Sequence, residues 1–349
     1  MKNFHLVVVF GLVAMALVGC ARKAPLPVLH LYSWLDYFSP ELLATFEQTH
    51  GCRIEIDTFD SNETMYANIK GGRDGYDIIF PSSYQIGRMV QDNMLRPLDK
   101  ELLPNVEQNF DVSFRKVVFD PKMTYSVPYA FSFTGVAYRK GEVGDIVIDS
   151  WACLDNPIFA ECGSLLGDIR ETIGAALKSL GYSLNTTDPE ELQKAKEVVL
   201  RWKKNITRFD NERYPKDIAS GKLRLAHGYN SDILQVMVDD EEHIAFMFPK
   251  EGFASSCDEM VIPVTANNVE LAHAFINFLY IPENARQNME YMCAPMPIRP
   301  GIAKLSERYR AFPALLPFPD VMARAEVIRD LGEANALYTK IWGEIMAAE

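Results

Sequence analysis

The chain has 349 residues, of which 48% are hydrophobic, and a formal net charge of −12 at pH 7. This length is enough for two domains, each with its own hydrophobic core. The excess of acidic residues argues against a nucleic-acid partner, because a phosphate backbone is bound by positively charged surfaces. The cysteines form no Cys-x-x-Cys motif, so we expect neither a metal site nor a cofactor.

The N-terminus has the pattern of a secretory signal. Lys2 supplies a positive charge, and residues 7–18 form an apolar run that is too short to span a bilayer as a helix. The run closes at residues 17–20 (LVGC), which resemble the signal motif of bacterial lipoproteins. We therefore expect a signal peptide over residues 1–19 and a lipid such as palmitate on Cys20. The alternative is an ordinary signal with a chance Cys.

Residues 20–27 form a short tether after the signal. The chain then holds five further cysteines, and this odd number predicts at least one free thiol or an intermolecular bond. Two of them, Cys153 and Cys162, are close enough in sequence to pair, although the sequence alone does not establish a disulfide. The five cysteines are Cys52, Cys153, Cys162, Cys257 and Cys293.

From residue 28 the sequence alternates between strand and helix patterns. Residues 28–33 form an apolar strand, after which Ser39 caps a helix that has Pro40 at its first position and ends at Gly51. The series continues with a strand over 52–59, a helix that Ser61 or Asn62 caps and that extends to residue 70, and a strand over 77–80. These spacings predict a parallel sheet.

The alternation begins again after an extended segment over residues 128–139, and a second extended segment is expected over 260–264. A capping box at Asp188 marks one of the later helix starts. Two α/β halves without a flexible linker indicate two lobes joined by the extended segments. The other predicted elements are strands over 163–167, 223–226 and 244–248, and helices over 169–180, 188–203, 232–238, 268–279, 282–292 and, for the most part, 323–348.

Aromatic and acidic side chains follow the first strand. Trp34, Asp36 and Tyr37 lie on the turn at its carboxyl end, the edge at which open α/β sheets bind ligands. Aromatic ring faces attract a cation and a carboxylate neutralises it, so this set suits a cationic ligand. The alternative is a packed turn with one exposed acid.

A pair of acids opens the helix over residues 169–180. Asp168 and Glu171 are three residues apart, which places both on one face of the first turn. The helix dipole favours acids there, so the pair is either a helix-start feature or a site such as the paired carboxylates of a glycosidase. Asp258 is a third acid, beside the second extended segment. The motifs of phosphate-binding loops, serine hydrolases and zinc proteases are absent from the sequence.

Seven sequence blocks resemble the bacterial periplasmic spermidine/putrescine-binding proteins, in the same order and over nearly the whole chain after about residue 31. The resemblance implies an α/β fold of the type II periplasmic-binding-protein class, with two lobes joined by extended hinge segments around a central cleft. The blocks are residues 61–67 (SNETMYA), 81–84 (PSSY), 125–129 (YSVPY), 168–171 (DIRE), 180–183 (LGYS), 185–189 (NTTDP) and 248–252 (FPKEG).

The same resemblance implies a site for an extended polyamine. Ammonium groups of the ligand are expected to meet carboxylates, and its methylene groups are expected to lie between aromatic rings. The matching positions are Trp34, Asp36, Tyr37, Ser82, Tyr84, Asp168, Glu171, Tyr229 and Asp258.

The chain departs from the family pattern at three positions. Tyr229 and Ser256 stand where the family has Trp, and a C-terminal Gln of the family falls near Ile328 or Arg329. These departures bear on affinity and on the choice between spermidine and putrescine.

By resemblance, the chain is expected to be a binding protein rather than an enzyme. Closure of its lobes, residues 28–131 plus 259–304 and residues 132–258 plus 305–349, would capture a polyamine for the permease subunits of an ABC importer. We expect a monomer that is lipid-anchored at the periplasmic side of the inner membrane, with the outer surface as the alternative. The competing interpretations are a hydrolase that uses Asp168 and Glu171, and a surface lipoprotein that binds a host protein.

Overall fold

The computed structural model of the protein describes residues 25–116 and 118–348. The expected signal peptide and the lipidation site Cys20 lie outside these residues. Among the helices that are described, none is both long enough and apolar enough to cross a membrane.

The strands of the described residues pair into one mixed sheet. Their bounds, in chain order, are β1 Val28–Ser33, β2 Arg53–Thr58, β3 Ile78–Ile79, β4 Ser126–Arg139, β5 Gly163–Leu165, β6 Arg208–Phe209, β7 Leu225–Tyr229, β8 Ile244–Met247, β9 Phe253–Val261 and β10 Ala325–Val327. The order across the sheet is β2-β1-β3-β9-β4-β7-β5-β6, while β10 pairs with β9 and β8 pairs with β4.

Along the main path of the sheet, parallel pairs lie toward the two ends and antiparallel pairs lie at the centre, while β10 pairs in parallel with β9 beside that path. β1 is parallel to β2 and β3, and β5 is parallel to β6 and β7. β9 is antiparallel to β3 and β4, and β4 is antiparallel to β7 and β8. The two parallel ends confirm the predicted pair of α/β halves, and the central strands β4 and β9 belong to both.

The helices pack on the faces of this sheet. They are α1 Pro40–His50, α2 Asn62–Lys70, α3 Ser83–Gln91, α4 Pro104–Asn109, α5 Ile169–Ser179, α6 Pro189–Trp202, α7 Tyr214–Ala219, α8 Asn230–Met237, α9 Val269–Leu279, α10 Pro282–Met292, α11 Arg299–Lys304, α12 Glu307–Arg310, α13 Pro319–Met322 and α14 Asn335–Ala347.

Local chemistry sets the helix boundaries that the sequence predicts. At the start of α1 the hydroxyl of Ser39 accepts a hydrogen bond from the backbone N–H of Leu42 at 3.4 Å. Gly51 ends the helix with φ of +61°, a left-handed conformation that glycine adopts without the steric cost of a side chain. Ser61 caps α2 in the same way, accepting from the N–H of Thr64 at 3.2 Å.

The second extended segment begins earlier than the sequence predicts. β9 starts at Phe253 rather than at residue 260, and all of its residues are buried. Polar residues such as Ser255 and Glu259 interrupt the apolar run, so hydropathy does not predict the full strand. These residues form a strand because they pair with β4, in a register that runs from Ser126 opposite Val261 to Phe133 opposite Ser255.

The prediction of a mostly helical segment over residues 323–348 is wrong for its first half. Residues 325–327 form β10, which pairs in parallel with residues 253–255 of β9, and a single 3-10 turn follows at 332–334. Regular helix begins only at Asn335. The unpaired backbone groups of β9 at that edge offer hydrogen bonds that override local helix propensity.

Aromatic side chains dominate the cores. In one core Phe46 meets Phe275 edge to face, with ring centroids 4.9 Å apart. In another the fully buried rings of Trp151 and Trp202 lie 6.4 Å apart. The five cysteines of the described residues, Cys153 and Cys162 included, are free thiols.

Candidate functional site

All nine predicted ligand-binding residues line one cavity, with a volume of about 160 Å³. Most follow the carboxyl ends of parallel strands, where ligands bind in open α/β sheets. Trp34, Asp36 and Tyr37 follow β1, Ser82 and Tyr84 follow β3, Asp168 and Glu171 follow β5, Tyr229 ends β7, and Asp258 lies on β9.

Asp258 is the best-anchored acid of the cleft, with an exposed fraction of 8%. One carboxylate oxygen accepts a hydrogen bond from the Tyr37 hydroxyl, and the other accepts one from the Ser82 hydroxyl at 2.6 Å. Burial, with a smaller contribution from the charge of Asp168, raises the pKa of Asp258 to about 6 in spite of these two hydrogen bonds. The ionised carboxylate is therefore short of compensating positive charge.

Asn62, the first residue of α2, holds the polar groups around Asp258. Its amide nitrogen donates to the hydroxyls of Ser82 at 3.1 Å and Tyr84 at 3.0 Å, and its amide oxygen accepts from the backbone N–H of Ser82 at 3.0 Å. Asn62 is buried. It lies in one of the matched sequence blocks, but we did not predict it as a site residue.

Small polar side chains of β4 and β9 form the floor of the cleft. Ser132 and Ser256 are opposite each other in the ladder, and their hydroxyls are 2.7 Å apart. Alternate residues of a strand point to the same face, so Ser256 and Asp258 share one side of β9. On β4, two residues beyond Ser132, Thr134 donates from its hydroxyl to Glu171 at 2.8 Å.

The acid pair at the start of α5 is both a helix-start feature and part of the cleft, the two interpretations that the sequence left open. Asp168 caps the helix, because one of its oxygens accepts from the backbone N–H groups of Arg170 at 2.9 Å and Glu171 at 3.0 Å. Both acids nevertheless line the cleft. Burial and then the charge of Asp168 raise the pKa of Glu171, which is 3% exposed, to about 8. Burial also raises the pKa of Asp168.

One buried cation lies beside these acids. Arg170 donates to the backbone oxygen of Arg329 at 2.8 Å and to the side-chain oxygen of Asn185 at 2.9 Å. Its guanidinium also lies 5.7 Å from the ring centroid of Tyr84. Its positive charge lowers the pKa of Glu171, but burial outweighs this effect. Arg170 therefore offsets only part of the negative charge.

Aromatic rings wall the cleft beside the acids. Trp34 packs edge to face on Phe59 with ring centroids 4.3 Å apart, and Tyr37 lies 5.2 Å from Tyr129. Tyr229 lines the cavity from the other half of the sheet. Trp34 and Tyr37 are thus held in place by neighbouring rings, and the three side chains offer apolar ring faces to a methylene chain.

Four further acids line the cavity, Asp36, Asp60, Glu212 and Asp232, and the charge of the first acts on the last. Asp36 is exposed and has φ of +53°, a left-handed conformation that Asp tolerates better than most residues. Asp232, in the first turn of α8, also lines the cavity and was not predicted. A second pocket of about 410 Å³ adjoins the cavity, because Asp36 and Gln235 line both.

The departures from the family pattern are visible in the cavity. Ile328, one of the two positions expected to correspond to the Gln, lines the cavity with an apolar side chain. Ser256, where the resemblance predicts a departure from Trp, lines it with a small polar side chain. Thr134, like Asp232, was missed by sequence reasoning, and its only signal is its place on the predicted crossing segment.

The arrangement suits a cation with an apolar body. Among the described residues, no Lys, Arg or His nitrogen lies within 4.0 Å of a carboxylate oxygen of Asp168, Glu171 or Asp258. In the same part of the chain no three metal-ligating side chains converge. Ammonium groups, which hydrogen-bond to carboxylates and lie over rings, therefore fit better than a metal ion.

The raised pKa values predict how stability depends on pH. The unfolded chain ionises Glu171 and Asp258 near pH 4, whereas the fold keeps their protons until about pH 8 and about pH 6. The folded state thus binds more protons in this window, so the free energy of unfolding of ligand-free protein should fall from pH 5 to pH 8. Glu171→Gln should reduce this fall by about 1 kcal/mol or more.

Urea unfolding at pH 5 and pH 8 measures the effect. Glu197→Gln is the matched control, because Glu197 is exposed on α6 and should leave the pH dependence unchanged. If wild type and Glu171→Gln show the same pH dependence, the burial of an uncompensated Glu171 carboxylate is refuted.

The sequence matches the family model of bacterial extracellular solute-binding proteins over residues 41–317. It is 32% identical to the putrescine-binding periplasmic protein SpuD of Pseudomonas aeruginosa, and the alignment covers 100% of both chains. It is also 32% identical to the spermidine/putrescine-binding periplasmic protein of Escherichia coli, over 91% of each chain.

Solved structures of similar proteins have the same fold. The TpPotD lipoprotein of Treponema pallidum superposes with a TM-score of 0.82 at 33% identity, covering 91% of this chain and 99% of that one. A spermidine/putrescine ABC transporter substrate-binding protein of Streptococcus pneumoniae superposes with a TM-score of 0.77 at 30% identity, covering 92% and 98%. These similarities confirm the periplasmic-binding-protein-like fold.

Proposed function

The chain belongs to the family of bacterial extracellular solute-binding proteins, and from this premise we propose that it binds a linear polyamine in the acidic cleft. The observation that carries the proposal is the set of buried carboxylates without ion-pair partners, walled by aromatic rings. Relatives that cover nearly the whole chain are named for binding spermidine and putrescine, which supports the same ligand class.

The proposed residue roles follow from the geometry. Asp258, fixed by the hydroxyls of Tyr37 and Ser82, accepts hydrogen bonds from an ammonium group of the ligand. Asp168 and Glu171 take another ammonium group. Each ammonium–ring contact with the aromatic walls adds roughly 0.5–2 kcal/mol. The remaining site residues of this proposal are Trp34, Asp36, Tyr84 and Tyr229.

We infer that capture occurs by closure of two lobes. The division at 131/132 and 258/259 falls within β4 and β9, the strands that both halves of the sheet share. A contact across the cleft supports closure: Asn211 donates to the backbone oxygen of Asp60 at 3.2 Å and accepts from the N–H of Gly167 at 2.7 Å. The ligand favours closure only through tighter binding to the closed state.

The proposal includes a transport partner and an anchor. A closed, ligand-loaded monomer would deliver the polyamine to the permease subunits of an ABC importer, without catalysing a reaction. Cys20 would carry the lipid that holds it at the periplasmic side of the membrane. A similar solved structure is that of a lipoprotein, which supports the anchor.

Titration calorimetry tests the ligand class. Putrescine, spermidine and spermine should bind, whereas a neutral sugar and a neutral amino acid should not, because neither neutralises the carboxylates. Tighter binding of the sugar than of any polyamine would refute the proposal.

The Asp258→Asn variant tests the site itself. The substitution keeps the shape of the side chain and removes its charge, so an ammonium group is left buried without its partner, which typically costs about 2–5 kcal/mol. We expect polyamine affinity to fall at least about thirtyfold, the lower end of that range. Asp145→Asn, an exposed acid outside the cleft, is the control and should leave affinity unchanged. Equal affinities for Asp258→Asn and wild type would remove Asp258 from the site.

The anchor has its own test. Replacing Cys20 with Ala removes the only thiol that the lipoprotein motif offers for acylation. The Cys20→Ala protein should move from the membrane fraction to the soluble fraction after export. Membrane retention of this variant at the wild-type level would contradict lipid anchoring.

A further inference from the structure

We propose that a packed contact between the two lobes stabilises the closed cleft before any ligand binds. Tyr84 and Gly87 form one side of this lobe contact, and Ile328 and Asp330 form the other. The inference rests on the proposed function and deepens it by naming residues that position the lobes. Ile328 is one of the two positions at which the resemblance places a Gln that caps the ligand, and here it serves closure instead.

Tyr84 packs into a socket of the other lobe. Its ring forms one small cluster of buried apolar side chains with Leu184, Ala254 and Ile328. In the proposed division Tyr84 belongs to the first lobe and the three socket residues belong to the second. The guanidinium of Arg170, also of the second lobe, lies 5.7 Å from the centroid of the same ring. The Tyr84 side chain therefore crosses the boundary between the lobes.

Both sides of the lobe contact are anchored within their own lobes. The hydroxyl of Tyr84 accepts from the side-chain amide of Asn62 at 3.0 Å. On the other side, the backbone N–H of Ile328 donates to a backbone oxygen of β9 at 3.0 Å, and the backbone oxygen of Leu184 accepts from the hydroxyl of Tyr338 at 3.0 Å. Two surfaces that are already ordered lose little freedom when they meet, so the apolar burial favours closure.

Gly87, three residues after Tyr84 on α3, allows the lobes to approach this closely. A Cβ at this position would lie 2.9 Å from the ring of Phe119 and 3.0 Å from Oδ2 of Asp330. Phe119 is 43% exposed and can turn toward solvent. Asp330, across the lobe boundary, is held through Oδ1 by the backbone N–H of Gly332 at 2.9 Å and by the side-chain nitrogen of Asn335 at 3.0 Å. A side chain at residue 87 would therefore push the lobes apart.

The lobe contact acts on affinity without depending on the identity of the ligand. Gly87 is not one of the described residues that line the cavity. A ligand that binds only the closed form has an apparent affinity reduced by the fraction of protein that is closed. Weakening the lobe contact lowers this fraction, so every polyamine should lose affinity by the same factor. Loss of a direct ligand contact instead depends on which polyamine reaches it.

Calorimetry with putrescine, spermidine and spermine on Gly87→Ala tests the lobe contact. All three affinities should fall by the same factor, about tenfold. Gly343→Ala is the matched control, because Gly343 also lies in a helix, α14, where an added Cβ meets nothing within 4 Å. Both substitutions favour the helix, so in urea the ligand-free Gly87→Ala protein should be no less stable than wild type. An unchanged affinity, or a loss confined to one polyamine, would overturn the inference.

The Ile328→Gln variant separates closure from ligand contact. A Gln in the socket buries an amide without a partner there, so we expect all three polyamines to bind about tenfold more weakly. If residue 328 served the ligand, as the resemblance implies for Gln, this variant would bind more tightly. Tighter binding of any polyamine would therefore overturn the role of Ile328. Should Ile328→Gln fail to fold, the Gly87→Ala comparison decides.

Small-angle X-ray scattering distinguishes failure of this inference from failure of the proposed function. Without ligand, Gly87→Ala should have a larger radius of gyration than wild type and Gly343→Ala, because it opens the lobes. Equal radii would overturn the lobe contact even where polyamines bind. If wild type binds no polyamine, the proposed function is refuted, and the comparison of radii still decides whether the lobe contact exists.

Discussion

Carboxylates buried without a cation in direct contact are the constraint on which the rest of the cleft depends. Moving an ionised carboxylate out of water costs free energy unless hydrogen bonds and opposite charge compensate it. Here the hydroxyls of Tyr37, Ser82 and Thr134 donate hydrogen bonds to the carboxylates, and Arg170 adds a positive charge near Glu171. The pKa values of Glu171 and Asp258 stay raised, which means that the compensation is incomplete.

The topology explains how one chain brings these acids together. β4 and β9 run through the centre of the sheet and pair with each other, while β9 also pairs with β3 of one half and β4 with β7 of the other half. Asp258 lies on β9, while the turns after β1, β3 and β5 deliver Tyr37, Ser82 and Asp168 to the same cavity. In the proposed function, a ligand that joined these groups would bridge the two halves, which would couple binding to closure.

The adjacent acids Asp258 and Glu259 of β9 have different surroundings. Glu259 is fully buried and accepts from the hydroxyls of Ser83 and Ser126 and from the backbone N–H of Phe119. Its neighbour Asp258 faces the cleft with two hydroxyl donors. Adjacent residues of a strand point to opposite faces, so Glu259 is hydrogen-bonded within the core whereas Asp258 lines the cavity.

Much of the fold could be predicted because its signals are local. Ser39, Pro40 and Gly51 mark the ends of α1 by chemistry that acts within one helical turn. β9 and β10 could not be predicted in the same way, because their backbone partners lie far away in the chain. Glu259 in particular is a poor strand signal until its distant donors are known.

The site residues, too, could be predicted only where a local signal or the family resemblance points to them. Trp34, Tyr37 and Asp168 were predicted because strand ends and a family resemblance point to them. Asp232 carries no such signal, since Tyr214, whose hydroxyl donates to its carboxylate, precedes it by 18 residues and approaches it only through the fold. Asn62 likewise can be recognised as part of the site only from its hydrogen bonds to Ser82 and Tyr84 in the folded protein.

The central claim is that the cleft acids lack a cation that a polyamine provides. Calorimetric titration of spermidine into ligand-free wild type near pH 6.5, in two buffers of different ionisation enthalpy, measures proton exchange on binding. A bound ammonium lowers the pKa of Glu171 and Asp258, so the account predicts net release of protons to the buffer. Binding with no proton exchange, or with proton uptake, would contradict it.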